Sequence, residues 1–187
     1  MAYSDIEYLD RFEAILEAGL LKLATGQGLL AGEMLTSDDI ESKWNDSLLE
    51  GYVADAVENF NGYPEVAIAW AAYLGMGVAH DWDAGMDVFT GRCYRDYYGS
   101  RGYDDMDEHI VDYIGADEAR AVKLKLSLQS LAVAAQGLMQ HEGIEADTER
   151  GFYVLVRIYT VMFRLGASIE LHRLGYRYVP LHPSAEA

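Results

Sequence analysis

The residues of this 187-residue chain whose types could do chemistry begin with His80-Asp81-Trp82-Asp83, followed by Asp87. On one continuous helix His80, Asp83 and Asp87 would sit at i, i+3 and i+7 and share a face. An imidazole grouped with carboxylates can hold Mn, Fe or Zn, or can trade protons as a general acid and base. The group follows a long apolar run, which favours a partly desolvated site. The simpler account is that a buried helix ends here and shows polar residues where it reaches solvent.

A second set is basic. Arg150, Arg157 and Arg164 recur every seven residues along an otherwise apolar segment, with Thr160 and Ser168 on the same side. A charge on a mostly buried helix is costly unless it is paired. Arg157 and Arg164 therefore call for carboxylates, expected from Asp81, Asp83 or Asp87, or for an anionic ligand held by the guanidinium forks. A polar site built from His80, Asp81, Asp83, Asp87, Arg157 and Arg164 is the sharpest expectation, and Glu142 or His141 could join it.

A third set is Arg92-Cys93-Tyr94-Arg95-Asp96-Tyr97-Tyr98-Gly99-Ser100-Arg101-Gly102-Tyr103. Its aromatic and arginine content matches that of recognition surfaces, where both residue types act as anchors. Arg92, Tyr94, Arg95, Tyr97, Tyr98, Arg101 and Tyr103 are thus a candidate interaction segment. The competing account is tyrosines packed over helix ends with wet hydroxyls. Cys93 is expected in the core. His109, among Asp104, Asp105, Asp107 and Glu108, reads as part of an acidic first turn.

Complete catalytic or metal signatures are absent. No histidine has a Glu three residues before it, as dimetal bundles require. His141-Glu142 begins a zinc-protease motif that has no second histidine. His80-Asp81 resembles the doublet of an all-α metal phosphohydrolase family, which also needs an upstream histidine, and none precedes His80. Asp38/Glu41 and Asp55/Glu58 resemble the paired acids of all-α nucleotide pyrophosphatases. Here they fall along one helix, too far apart to share an ion.

The elements that must position these groups are helical. Ser4 and Glu7 have capping-box spacing, so a first helix is expected from Asp5. Ile6, Leu9, Phe12, Leu16, Leu20 and Leu23 form its apolar face. A loop follows over 25–37. A second helix, 38–60, carries an unbroken stripe from Trp44 to Phe60. Pro64 opens a third, apolar nearly all round from Val66 to Ala79, the pattern of a buried central helix. A weaker stretch around 86–97, a short helix to Ile114, and long helices at about 117–141 and 148–174 complete the set. Residues 176–187 are expected to be an extended or flexible tail. The expectation is all-α: a single domain, 1–187, of six to seven helices bundled around a central helix at about 64–80.

Composition bounds the function. With 51% hydrophobic and 24% charged residues the chain can fold without help. Its net charge of -17 argues against binding nucleic acid. The acid is uneven: residues 1–118 hold 25 acids and 6 bases, whereas 119–187 hold 6 acids and 8 bases. Arg outnumbers Lys ten to four, which suits bidentate pairing with carboxylates. The single cysteine excludes an internal disulfide. No signal core is visible, and the longest uncharged apolar run, Val66–Ala79, is shorter than the ~20 residues of a membrane span. A cytoplasmic location without membrane association is expected.

The expected function is non-catalytic: interaction with a protein partner or a small anionic ligand, or self-association as a homodimer through the apolar last helix. No cofactor is expected. One rival is a metal-dependent or acid–base enzyme using His80, Asp83 and Asp87, which would take a divalent ion. Another is an acidic mimic, its face formed by 38–58 and 104–118, that binds a basic partner.

Overall fold

The computed structural model describes residues 3–60 and 62–178, with side chains from residue 5 onward. The chain forms α1 (Tyr3–Gly26), α2 (Asp38–Lys43), a π turn (Trp44–Leu48), α3 (Leu49–Phe60), α4 (Pro64–Ala84), α5 (Met86–Gly91), α6 (Met106–Tyr113), α7 (Glu118–His141) and α8 (Glu149–Leu174). Because α2, the π turn and α3 run on without a break, these make seven rods. The only bridge between extended residues among those described joins Gly99 and Gly102. The all-α bundle expected from the sequence is what forms.

The core is a pair of helices, α4 and α8. Every residue from Ala67 to Ala79 is buried. On α8 the run from Val161 to Leu171 is buried except at Arg164. The two rods meet backbone to backbone where each has a glycine. A Cβ on Gly75 would overlap the carbonyl of Phe163, and one on Gly166 would overlap the carbonyl of Ala72. Only glycine lets the axes come this close. α3, α6 and α7 pack around α4, while α1 lies against α8 and α7.

Termini follow the local chemistry. Asp117 accepts a hydrogen bond from the Arg120 N–H at 2.8 Å and starts α7. Thr148 does the same for Gly151 at 2.9 Å and starts α8. Gly175, at φ 100°, ends α8 in the left-handed conformation. The loop after α1 is tied down: Leu29, Leu30 and Leu35 are buried, and the Leu35 N–H donates to Ser168 Oγ at 2.8 Å.

Several expectations change. α1 starts at Tyr3, so the Ser4 backbone is already helical rather than a cap. The helix over 38–60 contains a π turn that sets Trp44 flat on Phe163 at 4.4 Å while its indole N–H donates to Thr160 at 3.1 Å. Tertiary packing of this one large ring accompanies the local change of pitch. The stretch 86–97 divides into α5 and a 3₁₀ turn, Tyr94–Tyr97. Cys93 lies between them and is exposed, not core. Most of the expected tail, 179–187, falls outside the described residues. α8 is long and apolar enough to cross a membrane by length and composition, and 67% of its most apolar stretch is buried inside the fold. The apolar sides that pointed to a dimer face are thus covered by α4 and α1.

Candidate anion-binding site

The arginine stripe of α8 is satisfied, but not by the expected partners. Arg150 stands over the ring of Tyr8 at 3.9 Å. Arg157 pairs with Asp10 at 3.0 Å and Glu13 at 2.5 Å. Arg164 pairs with Glu17 at 2.9 Å and also with Glu13. Asp10, Glu13 and Glu17 lie at i, i+3 and i+7 on α1, the same seven-residue reach as the two arginines. Arg157 and Arg164 are therefore consumed in the α1–α8 seam and share no ion pair with Asp81, Asp83 or Asp87.

The 80–87 group is split. Gly85, at φ 131°, breaks the helix, so Asp87 starts the exposed α5 and is no longer seven residues along a helix from His80. Asp83 is exposed and accepts the Tyr176 hydroxyl at 2.8 Å. Asp81 is fully buried and accepts hydroxyls from Tyr97 at 2.7 Å and Tyr113 at 2.5 Å, with the Arg92 guanidinium at 3.3 Å. Burial and the bond to Asp81 push the Tyr113 hydroxyl up to about 12. Among the described residues no three His, Cys, Asp or Glu side chains are grouped to hold a metal ion. His80, Asp83 and Asp87 are thus not brought together as one group.

The Tyr/Arg segment turns inward. Tyr97 is buried on Asp81, and Tyr94 and Tyr98 both donate to Asp55. Tyr103 packs edge-on against Trp70 at 4.6 Å. Arg92 lies over Tyr113 at 4.2 Å. Arg101 binds the buried Asp105 through its backbone N–H at 3.0 Å, leaving Arg95 and Arg101 as the segment's outward side chains. Carboxylates of α3 and α4 draw in the hydroxyls because a buried oxygen must find a partner. Asp55 and Asp105 are thereby also removed from the solvated acidic face that a mimic would need.

Apart from His80, the residues that do converge were not in the expected set. His80 Nδ1 lies 3.0 Å from Glu170, a fully buried carboxylate of α8. Arg173 clamps Glu170 with two nitrogens, one at 2.8 Å, and Arg120 of α7 approaches at 3.5 Å. Beyond this knot opens a cavity of about 210 Å³ whose polar wall is Arg120, Lys123, His172 and Arg173 and whose floor is Leu29, Leu124 and Ile169. The Arg120 Nε is buried and has no acceptor among the described residues. Burial, then the neighbouring positive charge of Arg173, lowers the Arg120 pKa. Among the described residues Glu170 is the only carboxylate in ion-pair contact with Arg120 and Arg173; Asp83 and Asp117 act on Arg173 and Arg120 from farther away. Two guanidinium groups thus share one buried acid, with Lys123 on the same cavity wall, in a molecule of net charge -17. A donor set of this kind suits a carboxylate or phosphate oxygen.

One signal in the sequence pointed here. Glu170 is the only acid between Phe152 and Leu174. A lone acid in a buried helix needs cations as much as a lone arginine needs acids. Comparison of the chain with family models, with curated proteins and with solved structures finds no match.

Proposed function

We propose that the protein is a non-catalytic binding protein that holds a small anion, carboxylate or phosphate in type, in the cavity of Arg120, Lys123, His172 and Arg173. The observation that carries this reading is a cavity walled by Arg120, Lys123, His172 and Arg173, where among the described residues the one acid in ion-pair contact with the two arginines is the shared Glu170. An anion in the cavity would add a second counter-charge and relieve the repulsion between Arg120 and Arg173. Leu29, Leu124 and Ile169 would face the apolar part of an organic ligand. Calorimetric titration with inorganic phosphate and with acetate tests it. Saturable binding at millimolar concentration is expected, weakened about tenfold in Lys123→Ala, since one charged hydrogen bond contributes about 1.5–3 kcal/mol. Lys123 is exposed and makes no ion pair among the described residues, so this variant should fold. No saturable binding of either anion, or binding indifferent to Lys123, overturns the reading.

A second reading, self-association, rests on an apolar row along the outer face of α7. Val122, Leu126 and Val133 are 54%, 64% and 51% exposed and lie within about 40° of one another on the helix. Exposed apolar residues grouped on one helix face are a feature of contact sites. Size-exclusion with light scattering should show a dimer that Leu126→Glu turns into a monomer. A strict monomer for the native chain removes this reading. On both readings α8 is a core helix and the protein works in the cytoplasm.

A further inference from the structure

A second cavity, of about 170 Å³, lies on another side of α7, between that helix, α4 and α6. α4 supplies Glu65, Trp70 and Tyr73, α6 supplies Asp107, and α7 supplies Lys125 and Gln129 at the rim. Tyr73 is 3% exposed, yet its hydroxyl has no hydrogen-bond partner among the described residues. Trp70 is 9% exposed, and its indole N–H has none either. Both residues line the cavity, and neither atom is among the sealed, unsatisfied ones of the core, so both are open to what enters it.

The charges around that space are unbalanced towards acid. Glu65 and Asp107 line it, Glu108 lies beside Asp107, and Lys125 is the single cation. Asp107 forms no ion pair within 4 Å among the described residues; Lys125 acts on it only from a distance. Burial, more than Glu108, raises the Asp107 pKa, so the carboxylate is held short of solvation. Trp and Tyr rings present negative faces to a cation. The volume is close to the ~150 Å³ that accommodates a benzene ring.

We propose that this cavity binds a small organic ammonium ion with an apolar body about the size of one aromatic ring. The ammonium group is placed between Asp107 and Glu65, within reach of the Tyr73 oxygen. The body lies against Trp70, Val66 and Ala69. An anion of the same shape meets two carboxylates against one lysine and is rejected. A bare metal ion would leave the aromatic walls without a partner.

The test is titration of the full chain with 2-phenylethylamine, with 3-phenylpropionate as the anionic counterpart and Mg²⁺ as the metal probe. The amine should saturate a single site and the other two should not compete for it. Asp107→Asn should weaken the amine at least tenfold. Lys125→Met, a rim substitution that does not depend on tolerance at Asp107, should tighten it. The helical circular dichroism and a cooperative urea transition should be retained in both variants, which shows that they fold. Equal binding of amine and carboxylate, displacement by Mg²⁺, no amine binding, or variants that leave the amine affinity unaltered would each overturn the proposal.

Discussion

Glu170 and Asp81 show how single residues organise this protein. Each is a fully buried acid on one of the two central helices. Each is surrounded by donors from elsewhere in the chain: His80, Arg120 and Arg173 for one, Tyr97, Tyr113 and Arg92 for the other. His80 and Tyr113 meet edge-on at 5.2 Å and connect the two knots. Asp107 is the contrasting case, partly buried without an ion pair. Burial raises its pKa in the folded state, so ionising it opposes folding. Its contribution is most favourable below the carboxylate range of the unfolded chain. It declines as pH rises through that range to the raised folded value, and is constant above it. Asp107→Asn should therefore gain stability relative to the native chain between about pH 3 and pH 7. Urea midpoints of the two proteins at several pH values measure this. A difference that stays constant across the range would show that the carboxylate is not desolvated.

At the scale of elements, the α4–α8 crossing is the decisive contact. Small residues on α4 and Gly166 on α8 bring two backbones together, and the carbonyl groups they meet cannot rotate away. Gly166→Ala should cost about 3 kcal/mol, the upper part of the ordinary overpacking range. Gly137→Ala on α7 is the matched control, because a Cβ there meets nothing within 4 Å. It should stabilise by about 1 kcal/mol through helix propensity alone. Denaturant unfolding of both variants checks the pair, and two equal effects would mean that the crossing is looser than described. The α1–α8 seam adds a second lesson. The seven-residue spacing of Arg157 and Arg164 was legible, and so was their need for acids. Which acids was not, because Asp10, Glu13 and Glu17 are more than 140 residues away in sequence.

For the whole molecule, 31 acids face only 14 bases, so most surface acids have no matching cation. Self-repulsion should outweigh the partly exposed ion pairs, whose individual contributions are small. Raising ionic strength from about 0.01 M to 0.15 M shortens the screening length from ~30 Å to ~8 Å. We expect stability to rise by about 1 kcal/mol, or ~2–4 °C in Tm. A Tm that falls with salt would mean that the α1–α8 and Glu170 pairs dominate. The sequence by itself determined the all-α class, the buried run at 67–79, most helix ends and the imbalance of charge. Those properties follow from periodicity, capping and composition, which are local. Tertiary structure alone decided that Tyr97 turns inward to Asp81, that Gly85 separates Asp87 from His80, and that His80, Arg120 and Arg173 gather around Glu170. A side chain's partner is fixed by how helices cross, and at the α4–α8 contact that depends on the backbone approach allowed by Gly75 and Gly166.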